Sequence, residues 1–245
     1  MERYKATLAY DGTTFSGMQR QASERTVQGE LENALGKLGW TEKSILFAGR
    51  TDAGVHASGQ VVAFDMEWKH SNVDLQNAIN ATMPKDLAVR QIVDVAAGFH
   101  PRYDAISRHY RYWLYCQPQR DPLRKRFAWR VWSAPNLQRM NAAAAHLVGE
   151  HDFAAFGTPQ KAGGPTMRKV QQARWTQTAE DEFTFEISAN AFLYHMVRRI
   201  VAFLVKVGQG SKEESDVPEL LHEAHELIQE MAPAQGLSLV GVGYE

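Results

Sequence analysis

The stretch FAGRTDAGVHASGQVVAF, Phe47 to Phe64, sets an apolar strand signal on each side of a polar, glycine-rich connection. Strands are expected over Ser44 to Ala48 and Gln60 to Met66, but a hairpin between them would need only Asn-Gly or Asp-Gly at its tip. This connection is longer, and it places Arg50 and Asp52 two residues apart between Gly49 and Gly54. Asp52 has two readings. Its side chain can cap a turn, or, kept ionised by a neighbouring guanidinium, it can serve as a nucleophile or general base. Spacing alone leaves both open.

Working outward, Tyr4 to Tyr10 alternates as a half-buried strand and ends at Asp11-Gly12. Thr26 is placed to cap a helix whose Val27, Leu31, Leu35 and Leu38 share a face and which Gly39 ends. Asn72 is placed to cap a helix running to Met83, where Pro84 stops it, and Leu87 to Val95 alternates again. The order strand, helix, strand, strand, helix, strand predicts an α+β half with helices on one face of an antiparallel sheet.

A second pass of the same order follows. Ser107 to Cys116 reads as a strand, Asn136 to Val148 as a helix, and Arg168 to Thr178 and Glu182 to Ala189 as strands. Helices are expected over Phe192 to Val207 and from about Asp216 to Met231, then a last strand over Leu237 to Tyr244. The expected architecture is α+β: two halves resembling RRM or ferredoxin-like domains, 1–105 and 106–245, with adjoining, mainly antiparallel sheets and a central cleft.

The 245 residues suffice for a sizeable core, and 44% of them are hydrophobic. No apolar run is long enough to cross a bilayer, and the N-terminus lacks a signal-peptide pattern. The single cysteine, Cys116, excludes an internal disulfide and fits a reducing cytoplasm. A net charge of −1 hides a basic centre, Arg102 to Arg130, and an acidic stretch, Glu213 to Glu230. The first suits phosphates, and the second is a solvated helix face.

Strand alternation in RHYRYWLYC, Arg108 to Cys116, puts Arg108, Tyr110, Tyr112 and Leu114 on one face. Arginine interleaved with aromatics can hold phosphates and stack bases, although most of these rings are better read as core. Tyr110 stands out because it follows the basic FHPRYDAISR. In NAFLYHMVRRIVAFLVKVG, Asn190 to Gly208, Arg198 and Arg199 interrupt an apolar helix; a buried arginine there needs a partner. His195 is read as an interior histidine, and His222 and His225, spaced i, i+3 without a third ligand, as surface residues. No metal site, phosphate-binding glycine loop, dinucleotide fingerprint or serine elbow is present, so no cofactor is expected.

The blocks YDGTTFSGMQRQ, AGRTDAGVHASGQVVAF, FHPRYDAISRHYRY, TMRKVQQARW, ANAFLYHMVRRIVAFLVKVG and APAQGLSLVGVGY occur in this order over nearly the whole chain. Together they resemble the TruA-type tRNA pseudouridine synthases, GRTDAGVHA being the most specific. The resemblance implies isomerisation of uridine to pseudouridine in the anticodon stem-loop of tRNA, at positions 38, 39 and 40. It implies that Asp52 is the catalytic carboxylate and that Arg50 helps hold the flipped nucleotide. Tyr110 is implied to stack on the uracil and assist removal of its C5 proton, and Arg198 to pair with Asp52. A homodimer gripping tRNA with both subunits is also implied. Met18 stands where the family usually has Trp, Arg199 and Ala202 where it has Asn and Gly, and Pro101 where it has Ala. A catalytically silent RNA-binding protein would share the basic strand but have no use for Asp52, and a metal-dependent hydrolase would need carboxylate and histidine clusters that are missing.

Overall fold

The computed structural model describes residues 1–222 and 226–245. The chain divides into two compact units, one formed by Met1–Ile106 with Ser238–Glu245 and the other by Ser107–Leu237. The class is α+β, as expected, with antiparallel pairing predominating over short parallel pairings among the described residues.

In the first unit, β1 (Glu2–Tyr10), α1 (Val27–Lys37), β2 (Leu46–Phe47), β3 (His56–Met66), α2 (Asn72–Thr82) and β4 (Leu87–Val95) follow in chain order. β1 pairs antiparallel with both β3 and β4, and β2 pairs antiparallel with β3. The resulting order β4-β1-β3-β2 is that of the split βαβ fold. Thr26 caps α1 through its hydroxyl, and Val27, Leu31 and Leu35 are buried as the periodicity requires. The cap of α2 lies one residue earlier than expected. Ser71 accepts from the Asp74 N–H while Asp74 reaches back to Ser71, a capping box, and Asn72 instead donates to Asp94.

In the second unit, β5 (Ser107–Cys116), β6 (Trp129–Val131), α3 (Leu137–Ala145), β7 (Gly149–Asp152), β8 (Met167–Ala179), β9 (Glu182–Ala189), α4 (Met196–Gly208) and α5 (Asp216–His222) appear. The sheet runs β5-β9-β8-β7, with β6 parallel to the end of β5. Met140, Ala143 and Ala144 of α3 and most of α4 are buried in the core.

Three expectations are corrected. The strand β10 (Leu237–Gly243), grouped by sequence with the second half, lies almost wholly in the first unit: Ser238 pairs with His56 and Leu239 with Ala57, parallel to β3. The helix expected from Phe192 starts only at Met196, because Tyr194 bridges to Thr158 and His195 takes a left-handed φ of 64°. The helix from Asp216 is described as far as His222, and from Glu226 to Met231 the chain is not helical. His222 is exposed, and His225 lies outside the described residues.

Candidate active site

The pairing of β3 explains the length of the Phe47–Phe64 connection. β1 occupies one edge of β3 along nearly its whole length. On the other edge β2 covers Val62 and Ala63, whereas β10 covers His56 and Ala57. A tight hairpin would have run β2 along His56 and displaced β10. The chain therefore leaves β2 at Phe47 and re-enters β3 at His56 through an open loop.

That loop is locked to the segment following β1. The Met18 N–H donates to the Thr51 carbonyl (3.0 Å), and the Gly54 N–H donates to the Phe15 carbonyl (3.3 Å). The Gly12 N–H donates to His56 Nδ1 (3.0 Å), so the neutral ring carries its proton on Nε2 although Asp11 Oδ1 lies 3.3 Å away. The Tyr10 hydroxyl faces Thr51 Oγ1 at 2.8 Å in a buried setting, and burial pushes that phenol up to about 12. Gln60, fully buried, donates to the Gly49 carbonyl (2.8 Å). Two glycines permit this approach. A Cβ on Gly12 would lie 2.0 Å from the Val55 oxygen, and Gly17, at φ +91°, would place one 2.7 Å from the Thr51 oxygen.

Arg25 braces the same segment from outside. Its guanidinium makes two bonds to Asp86 (2.8 and 2.9 Å), one to Glu30 and one to Thr14, and covers the Phe15 ring at 4.3 Å. The guanidinium holds the Asp86 carboxyl down at about 2. Within this frame Thr51 and Val55 are buried, Asp52 is half-buried, and Arg50 is exposed. Asp52 also accepts the Val55 N–H through its carbonyl (3.1 Å), which closes a turn over Asp52–Val55. The frame around Asp52, made by Tyr10, Gly12, Gly17, Thr51, His56 and Gln60, was not read from the sequence. The only signal for it was the glycine-bearing YDGTTFSG block, whose contacts with the loop are distant in sequence. Met18, where the family usually has Trp, is fully buried, and its backbone joins Thr51 to Gln28.

In the second unit the face read from β5 alternation is present. Tyr110, Tyr112 and Leu114 are buried on one side, with His109 exposed on the other. The Tyr110 ring meets Phe192 edge-on at 5.1 Å. Tyr112 donates to the Pro233 carbonyl (2.9 Å), and its phenol is raised well above the usual value by burial, which the Arg198 charge opposes. Tyr112 and Tyr115 are core residues, whereas Tyr110, at 9% exposure, sits at the margin of the core.

The two arginines of α4 hold the segment that follows α5. Arg198 Nε donates to the Ala232 carbonyl (2.8 Å), and the Ala232 N–H donates back to the Arg198 carbonyl (3.0 Å). Arg199 is buried. Its guanidinium donates to the Ile228 carbonyl (2.6 Å) and the Tyr194 carbonyl (3.3 Å). Arg199→Ala should remove the guanidinium bonds to both carbonyls, leave the part-buried Ile228 contact unmade and cost about 2 kcal/mol. For a chain of this size the thermal midpoint should then fall by roughly 5 °C; a midpoint within 1 °C of the parent's would contradict the buried role.

Part of the basic centre is engaged within its own unit. Arg111 pairs with Glu186, and Arg124 pairs with Asp181, Glu182 and Asp121. Arg130 is engaged by the carbonyls of Gln117 and Pro118. Among the described residues no group of three or more His, Cys, Asp or Glu side chains could hold a metal ion, and no helix is long and apolar enough to cross a membrane.

A family model described as tRNA pseudouridine synthase matches residues 6–104 and 143–245. The first match contains Arg50 and Asp52 and the second contains Arg198, while Tyr110 falls between them. The chain is 38% identical over 250 residues to a protein of Limosilactobacillus fermentum named tRNA pseudouridine synthase A, covering 100% of this chain and 97% of that one. It is 38% identical over 245 residues to a namesake from Geotalea uraniireducens, covering both chains fully. It is 37% identical over 246 residues to another from Bacillus subtilis, covering 99% of each. The chain thus belongs to the tRNA pseudouridine synthase family, and it is an enzyme of the isomerase class.

Proposed function

We propose that this enzyme converts uridine to pseudouridine at positions 38, 39 and 40 in the anticodon stem-loop of tRNA, with Asp52 as its catalytic carboxylate. The reaction exchanges a C1′–N1 bond for a C1′–C5 bond and moves the C5 proton to N1. It needs a group that reacts at the ring or the sugar, a surface that holds the detached uracil, and a way to keep the nucleotide out of its stack. Asp52 supplies the first, Tyr110 stacks on the uracil, and Arg50 and Arg198 bind the substrate. Unstacking costs a few kcal/mol, which a stacking ring and phosphate-holding guanidinium groups offset.

The observation that carries this reading is the locked loop. Its backbone is fixed on both sides of Asp52 by the Met18 to Thr51 and Gly54 to Phe15 bonds, while Asp52 as a residue is only half-buried. Fixed placement of a reacting group relative to its substrate is a large source of rate in such a site. We also read the protein as a cytoplasmic homodimer that grips tRNA with both subunits, and sedimentation of the free protein tests the dimer.

Incubating an unmodified tRNA transcript with the protein alone, then mapping pseudouridine by nucleotide, should give product at positions 38 to 40 and no other site. Product elsewhere would reject the positional assignment. Binding of tRNA with no product under any buffer would leave a silent RNA-binding protein as the correct reading.

A further inference from the structure

The turn after β4 carries an aromatic that the reaction at Asp52 does not use. Tyr103 is 75% exposed, an unfavourable setting for a large ring unless something covers it. The ring lies tilted against His100 with centroids 4.2 Å apart, and the Arg102 guanidinium lies 5.7 Å from its centre.

The turn beneath it is rigid. The His100 N–H donates to the Asp104 carboxylate (2.8 Å), the Asp104 N–H donates to the His100 carbonyl (3.1 Å), and His100 Nδ1 accepts from the Arg102 N–H (3.2 Å). On its inner side the Tyr244 hydroxyl donates to the Pro101 carbonyl (2.7 Å), and Phe99 packs on Tyr244 at 5.2 Å. Arg3, paired with Asp65, donates to the Phe99 carbonyl (3.0 Å).

Asp65 is at the far end of β3 from Asp52. Asp65 lies nine residues along β3 from His56, so the turn is anchored through Arg3 toward the strand end away from the Asp52 loop.

We propose that Tyr103, with His100 and Arg102, forms a second RNA contact that stacks an unpaired base of the tRNA remote from the reacting uridine. The inference rests on the tRNA reading above. A base suits the site because a single ring standing out on a narrow turn beside a guanidinium matches one π-face and one phosphate. A protein partner would need a broad surface of some 800 Å². Asp104, the carboxylate nearest the ring in sequence, is occupied in bracing the turn.

The test compares Tyr103→Ala and Tyr103→Phe on full-length tRNA and on a hairpin limited to the anticodon loop and its adjoining pairs, too short to reach. For Tyr103→Ala, KM and Kd for full-length tRNA should rise about tenfold, kcat should hold, and the hairpin should react as with the parent. Tyr103→Phe should match the parent on both substrates. An unchanged Kd for full-length tRNA, an equal loss on the short hairpin, or a shift in oligomeric mass on Tyr103→Ala would overturn the proposal, the last by assigning the ring to self-association. A parent protein that binds tRNA without forming product would reject the proposed reaction, while the Kd comparison would still decide the contact.

Discussion

Asp52→Asn is expected to lower the rate of pseudouridine formation by at least about 10³-fold, the range spanned by loss of a group that moves a proton or forms the covalent bond. The substitution keeps the shape of the side chain and removes its charge, so the amide can neither attack nor take a proton. The backbone that holds the loop is untouched, because Thr51, Asp52, Gly54 and Val55 are fixed through their N–H and carbonyl groups. Thermal stability and tRNA affinity should accordingly stay near the parent values. Single-turnover assays with saturating enzyme separate chemistry from binding, and turnover above about 1% of the parent rate would contradict a direct role for the carboxylate.

Gly12→Ala should damage the same chemistry without touching a reacting atom. The added Cβ would meet the Val55 oxygen at 2.0 Å, its carbonyl carbon at 2.5 Å and its nitrogen at 3.0 Å. All three are backbone atoms, so no flexible side chain can give way. The strand end at His56 and the segment at Gly12 must part by roughly 1 Å, and a shift of that size in a reacting group costs about 10²-fold in rate. Overpacking should also destabilise the fold by about 1–3 kcal/mol. Gly36→Ala is the control. It adds a Cβ within α1 where nothing lies within 4 Å, and it should leave activity unchanged and stability equal or slightly higher. If Gly12→Ala matched that control in kcat, the interlocking of the two loops would not be what places Asp52.

Much of this was legible because local rules and tertiary demands agree. The ranges of β4, β5 and β9 follow directly from alternation, and α1 follows from its period and from Thr26. The failures come from long-range effects. Periodicity in Phe192–His195 continues that of α4, yet Tyr194 is taken by Thr158, which no local window contains. Asn72 and Ser71 are both competent caps, and the contest is settled by Asp94, whose carboxylate engages the Asn72 amide. The arginines of α4 show the same limit. Sequence reasoning required partners for them, but carbonyls of the segment at Ile228 and Ala232 carry no signature that distinguishes them from others. Asp52 and its glycines were visible as a motif, whereas their support from Tyr10 and Gln60 was not.

The parallel pairing of Ser238 with His56 also bears on how the molecule is made. During synthesis the first unit emerges early, with β1, β3 and β4 able to pair as soon as they leave the ribosome. The edge of β3 beside the Asp52 loop then stays bare until the entire second unit has been translated and β10 arrives to cover it. A nascent chain is therefore a folded but unfinished catalyst, and a product cut short within the second unit would carry an open strand edge in place of a completed loop support.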